Sequence, residues 1–121
     1  MQYANLGRTN LRLSVLGLGT VQLGMAYGWD QQPPPSDHRV ISLIRRALEL
    51  GINYIDTAAM YGRSESLVGR ACAGLTCRPV IATKLSIRDA DGAGLLTGQA
   101  LRQSVEQSLH QSLQKLGVDV L

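Results

Sequence analysis

Asp56, Tyr61 and Lys84 are a carboxylate, a phenol and an ammonium, types that pair with one another and hold or move protons. Asp56 stands where the apolar stretch Ile52-Asn53-Tyr54-Ile55 gives way to the loop Thr57-Ala58-Ala59-Met60-Tyr61-Gly62-Arg63-Ser64-Glu65. Lys84 stands at the same point after Ile81-Ala82-Thr83, and Tyr61 lies in the loop between them. Sequential strands of a parallel sheet are often neighbours, about 4.8 Å apart, so the two charges would lie close enough to pair. The C-terminal rim of such a sheet is where active sites form, in barrels and in open α/β sheets alike. Taken singly, each residue has an ordinary explanation: a cap or turn for Asp56, a packing aromatic for Tyr61, a solvated strand end for Lys84. On spacing alone the two readings stand level.

The elements that must position these residues follow from hydrophobic periodicity and its punctuation. Short segments around Tyr3 and Leu11 flank Gly7-Arg8-Thr9-Asn10, which reads as a β-hairpin turn. Leu13 to Leu18 reads as one buried strand, and Gly19 to Pro35 as a long loop whose three consecutive prolines exclude helix. Ser36 is the expected N-cap of a helix that buries Val40, Leu43, Ile44, Ala47 and Leu48 and stops at Gly51. A strand over Ile52–Ile55 comes next, then a helix from Ser64 burying Leu67, Val68, Ala71, Cys72 and Leu75, with Glu65 in its dipole-favoured first turn. Pro79–Thr83 reads as another strand and Ser86–Gly98 as a loop. A long helix from about Thr97 to Leu116 carries the stripe Leu101, Val105, Leu109, Leu113 and Leu116; Gly117 ends it and Val118–Leu121 opens a fourth strand. This alternation implies a parallel sheet with right-handed crossovers, either doubly wound or part of a (β/α)8 barrel.

Composition narrows the function classes. The 121 residues are 45% hydrophobic and 17% charged, the balance of a globular domain. A net charge of +3 without blocks of like charge or aromatic-basic interleaving argues against nucleic-acid binding. No apolar run approaches the roughly 20 residues of a membrane span, and the polar start Met1–Asn10 lacks a signal-peptide core. Cys72 and Cys77 are too few for a disulfide framework, and Cys72 reads as a buried reduced thiol. Together these features suit the cytoplasm. No metal-ligand set is expected; His38 and His110 read as surface histidines. Gly17, Gly19 and Gly24 hint at a dinucleotide fingerprint, but Gln22 occupies the third glycine's place and no acidic residue follows at the required distance.

Leu16-Gly17-Leu18-Gly19-Thr20, Gly51-Ile52-Asn53-Tyr54-Ile55-Asp56-Thr57-Ala58, Tyr61-Gly62 with Ser64-Glu65, and Ala82-Thr83-Lys84 resemble the successive signatures of the aldo/keto reductase family. The match runs in order along essentially the whole chain, and the opening hairpin resembles the one that closes the bottom of that family's barrel. The resemblance implies an α/β fold: residues 1–121 as the N-terminal portion of a (β/α)8 barrel, the hairpin plus about three and a half βα units. It implies NAD(P)H-dependent interconversion of a carbonyl and an alcohol, NADPH expected over NADH and no metal. Tyr61 is then the general acid, Lys84 the cation stabilising its phenolate, and Asp56 the carboxylate that orients Lys84. Gly19, Thr20, Val21 and Asp56 match positions at the nicotinamide end of the cofactor site. Tyr27 and Trp29 are candidates for a substrate-pocket wall, with a packed loop as the other reading.

The family's fourth catalytic residue is a histidine after a segment like Leu116–Leu121, and neither His38 nor His110 can take its place. The expectation is therefore an incomplete chain of catalytic ancestry, without full activity by itself. Two alternatives accompany it: a cofactor-binding regulatory subunit, and the half-barrel remnant of a truncated gene. Half a barrel leaves strand edges unpaired, so self-association or a complementing half is expected alongside a small-molecule substrate.

Overall fold

The computed structural model describes residues 1–85, 87 and 94–121. Strands β1 (Tyr3–Asn5) and β2 (Arg12–Ser14) form the expected antiparallel hairpin, with Tyr3 opposite Ser14. The expected single strand over Leu13–Leu18 is divided instead. Val15 stays with the hairpin by donating its amide to the Gln2 carbonyl, and the Ser14 hydroxyl closes a bend onto the Leu16 carbonyl. Val15 and Leu16 are consequently exposed, and pairing resumes only at β3 (Leu18–Gly19). The long loop after β3 contains one short helix, α1 (Val21–Gly24), and the proline run is non-helical as expected.

Helix α2 (Asp37–Glu49) follows Ser36, which occupies the N-cap without a capping side-chain bond. It buries Val40, Ile44 and Ala47, whereas Leu43 lies exposed on the flank of the stripe. Strand β4 (Tyr54–Asp56), helix α3 (Ser64–Cys72), strand β5 (Val80–Ala82) and helix α4 (Gly98–Leu116) complete the order. Leu75 lies beyond the end of α3 but still packs against the core. Of the expected α4 stripe only Leu116 is fully buried, and Leu109 is exposed. The expected fourth strand is absent among the described residues. Gly117, at φ +64°, caps α4, and the Val118 amide is engaged with the Leu113 carbonyl to close that cap. Of the expected 86–98 loop, Ser86 and Arg88–Ala93 lie outside the described residues.

Strands β3, β4 and β5 are parallel and in sequential order, with Leu18 opposite Ile55 and Ile55 opposite Ile81. Helix α2 packs on α3 and α3 on α4. Ile55 joins Val40, Ile44, Leu67, Val68 and Leu116 in one core, and Leu18 and Ile81 rest against it. Burying each large apolar side chain in that core contributes about 1.5–3 kcal/mol. A doubly wound sheet distributes its helices over both faces; here the three long helices cover one face, as in a barrel wall. Alternation along the strands then turns Gly19, Asp56 and Ala82 to the opposite, inner face. Lys84, two residues beyond Ala82, shares that parity.

Candidate active site

The sheet delivers Asp56 and Lys84 to one rim because both sit at the C-terminal ends of adjacent parallel strands. Lys84 Nζ donates to Asp56 Oδ1 at 2.7 Å and to the Thr57 carbonyl at 3.0 Å. The same ammonium lies 5.1 Å from the centroid of the Tyr61 ring. The three residues singled out by type and spacing thus meet. Burial works against the charge on Lys84, but Asp56, by hydrogen bond and by charge, and Tyr61 to a smaller degree outweigh it and hold the ammonium above its ordinary value. The two side chains remain 47% and 41% exposed, so solvent screens the pair and its net contribution to stability is about 1 kcal/mol or less.

Tyr61 is fixed through its backbone. Helix α1 ends against the Tyr61–Ser64 turn, where the Arg63 amide donates to the Gly24 carbonyl. A Cβ on Gly24 would lie 2.1 Å from the Tyr61 carbonyl oxygen, and one on Gly62 would lie 2.5 Å from the Gly24 carbonyl oxygen. Two glycines therefore permit the approach that sets the turn, and Gly62 also adopts φ +58°. From outside, Arg63 and Arg70 both bond the Asp37 carboxylate, and Arg63 also donates to the Pro35 carbonyl.

Beneath the rim lies a buried hydroxyl network. Thr20 donates from both its amide and its hydroxyl to the Asp56 carbonyl, each at 3.0 Å. Ser64 Oγ bonds the Thr20 carbonyl at 3.0 Å and stands 3.3 Å from Thr57 Oγ1. Of the residues expected at the cofactor, Thr20 is fully buried with its hydroxyl engaged in this way. Gly19 faces open space: a Cβ there would meet nothing within 4 Å. Val21 is half-buried at the start of α1. Tyr27 is exposed and Trp29 fully so. His38 and His110 are exposed on α2 and α4. Among the described residues no group of His, Cys, Asp or Glu stands close enough to hold a metal ion, and no helix is long and apolar enough to cross a membrane.

At the opposite end of β4, Asn53 holds the hairpin. Its side chain accepts the Ser14 amide at 2.6 Å and donates to the Arg12 carbonyl at 2.9 Å. The hairpin therefore covers the N-terminal end of the sheet and leaves the rim carrying Asp56 and Lys84 clear.

A family model described as "Aldo/keto reductase family" matches residues 15–121. The chain belongs to that family. It is 31% identical over 123 residues to the uncharacterized oxidoreductase YqkF of Bacillus subtilis, covering 100% of this chain and 37% of that protein. It is 32% identical over 121 residues to L-galactose dehydrogenase of Arabidopsis thaliana, covering 96% of this chain and 35% of the relative. Among solved structures, the holo form of an aldo-keto reductase from Bacillus halodurans superposes with a TM-score of 0.74 at 30% identity, over 98% of this chain and 37% of that one. The chain thus spans little more than a third of the length of these proteins, and its α/β arrangement is part of the aldo/keto reductase barrel.

One feature of this aldo/keto reductase rim is invisible to the periodicity that places Glu65 in a favourable first turn. The Glu65 side chain is 2% exposed, with Oε1 accepting from Thr83 Oγ1 at 2.7 Å. Strand parity offered the one available signal: Thr83 must face the helices if Lys84 faces inward.

Proposed function

We propose that the Asp56–Tyr61–Lys84 cluster is the proton-delivery site of an NAD(P)H-dependent oxidoreductase that interconverts a small carbonyl compound and its alcohol. The observation that carries this reading is the Lys84 ammonium bonded to Asp56 and lying 5.1 Å from the Tyr61 ring. Tyr61 gives its phenolic proton to a carbonyl oxygen as negative charge develops there, and takes it back in the alcohol-oxidising direction. Lys84 stabilises the phenolate left behind, because an ammonium beside it favours the charged form. Asp56 and the Thr57 carbonyl hold Lys84 in that position by charge-assisted hydrogen bonds.

A nicotinamide cofactor supplies the hydride when bound, and the residues at the rim fit such a group. The open space over Gly19, beside the half-exposed Asp56, leaves room for a planar ring. Gly19 and Val21 would hold the nicotinamide end, with NADPH favoured over NADH. Thr20 acts there by fixing the Asp56 carbonyl, since its hydroxyl is already engaged. Tyr27 and Trp29 would meet substrate on a more enclosed rim.

With both histidines exposed on helices, these 121 residues supply three of the family's four catalytic roles, and the activity requires a histidine from elsewhere. The test is a graft. Residues 15–121 replace the segment they match in the Bacillus halodurans enzyme, and loss of NADPH or NADH absorbance is followed with a simple aldehyde. Turnover by the graft supports the reading. A folded, cofactor-binding graft without turnover overturns it.

A further inference from the structure

The buried carboxylate of Glu65 belongs to no part of the proton-delivery cluster, yet its hydrogen-bond partner Thr83 is one residue from Lys84 along the chain. Its Oε1 accepts the Thr83 hydroxyl at 2.7 Å, while its Oε2 has no hydrogen-bond partner among the described residues. Among the described residues the nearest cation to Oε2 is Lys115 Nζ on α4, at 3.8 Å. Burying a carboxylate with so little compensation costs free energy that must be offset elsewhere in the fold. What the position secures is the facing of Thr83. Successive residues of a strand end point to opposite sides, so tying Thr83 to α3 turns Lys84 to the inner face, where Asp56 and Tyr61 wait.

We propose that Glu65 is a positioning residue for Lys84, acting through the Thr83 hydroxyl, with Lys115 as the counter-charge that makes its burial tolerable. This deepens the proton-delivery reading and rests on it for its functional meaning, but its geometry is testable without turnover. Lys84 and Lys115 are the only two lysines in the sequence, one bonded to Asp56 and one beside Glu65. Each therefore reports separately on the arrangement.

The experiment labels the full chain with trace acetic anhydride across a pH series and reads each lysine's acetylation by mass spectrometry, with circular dichroism confirming the fold. Three groups face the relevant charges: Asp56 from β4 and Tyr61 from its loop face Lys84, and Lys115 from α4 faces Glu65. Thr83→Val keeps the shape and removes the hydroxyl. The expected result is that Lys84, released from Asp56, titrates lower and labels about threefold faster at a fixed pH below its midpoint, a shift of about half a pH unit. Glu65→Gln keeps an acceptor for Thr83 and removes the charge, so Lys84 should keep its profile while Lys115 labels faster. An unchanged Lys84 profile in folded Thr83→Val overturns the proposal. So does a Lys84 profile that moves in Glu65→Gln, which would make the effect one of charge and not of position. Should Thr83→Val fail to fold, Glu65→Leu takes its place: it removes the acceptor of the Thr83 hydroxyl, so Lys84 should label faster in the same way, and an unchanged Lys84 profile in that folded variant overturns the proposal. None of these readouts depends on catalysis, so a failed graft assay leaves them interpretable.

Discussion

Replacing Gly24 by Ala places one methyl group where the backbone of the Tyr61 turn already stands. The new Cβ would lie 2.1 Å from the Tyr61 carbonyl oxygen, 2.6 Å from the Ser64 amide nitrogen and 2.7 Å from Ser64 Cβ. Two of these three atoms are backbone, so no side-chain rotation relieves the clash, and either α1 or the turn must move. Overpacking a tight site costs about 1–3 kcal/mol, and contact with rigid backbone places this case at the upper end. Alanine recovers up to about 1 kcal/mol of helix propensity, which leaves a net loss of about 2 kcal/mol. Two other glycines serve as controls. At Gly17 the obstacle is the Tyr54 ring, 2.6 Å away but able to turn, so Gly17→Ala should cost less. At Gly19 a Cβ meets nothing within 4 Å, and Gly19→Ala should fall within about 0.5 kcal/mol of the parent. Urea denaturation followed by circular dichroism ranks the three. Equal midpoints for Gly24→Ala and Gly19→Ala would refute the claim that a glycine contact sets the Tyr61 turn.

Three further outcomes are expected. Burial pushes the Cys72 thiol above its ordinary value of 9.0, against the opposing pull of Arg78 and Arg45, while Cys77 is exposed. Iodoacetamide at neutral pH should therefore modify Cys77 first and Cys72 only on unfolding; simultaneous modification in the folded chain would contradict the buried core. Lys84 is held above its ordinary value of 10.5, so the stabilisation it draws from Asp56 is fully present below that pH and is lost as pH rises through its higher folded value. The stability difference between the parent and Asp56→Asn, about 1 kcal/mol or less for so exposed a pair, should accordingly vanish in strong alkali, and a difference that persists there would count against the pairing. Each outer strand, β3 and β5, pairs on one side only among the described residues. We expect the isolated chain to associate as its concentration rises; a monodisperse monomer with a cooperative melting transition, seen by light scattering and calorimetry, would show otherwise.

Much of the site was legible because it depends on local patterns. Asp56 and Lys84 each follow a short apolar strand, and parallel neighbours in register bring such positions together without any knowledge of distant contacts. Gly117 announced the end of α4 in the same local way, through a left-handed cap that glycine favours. The misreadings came where an apolar run met a partner far along the chain. Leu13–Leu18 contains no glycine or proline before Gly17, and what divides it is Val15 bonding Gln2 and Ser14 bonding Asn53, 39 positions away. Val118–Leu121 is strand-like in composition, but the α4 cap engages the Val118 amide first. On α4 the long helix packs by its C-terminal end, so Ser112 is buried and Leu109 exposed, against the apolar stripe. The bond from the Thr20 hydroxyl to the Asp56 carbonyl was hidden for the same reason, since it joins positions 36 apart.

Proposed proton delivery by Tyr61 is tested most directly by one substitution in the grafted enzyme. Tyr61→Phe keeps the ring beside Lys84 and removes only the hydroxyl. Steady-state reduction of a simple aldehyde should fall by at least about 100-fold, the scale of a lost general acid, while nicotinamide cofactor binding measured by fluorescence stays near that of the unsubstituted graft. Turnover that survives in Tyr61→Phe would contradict the account.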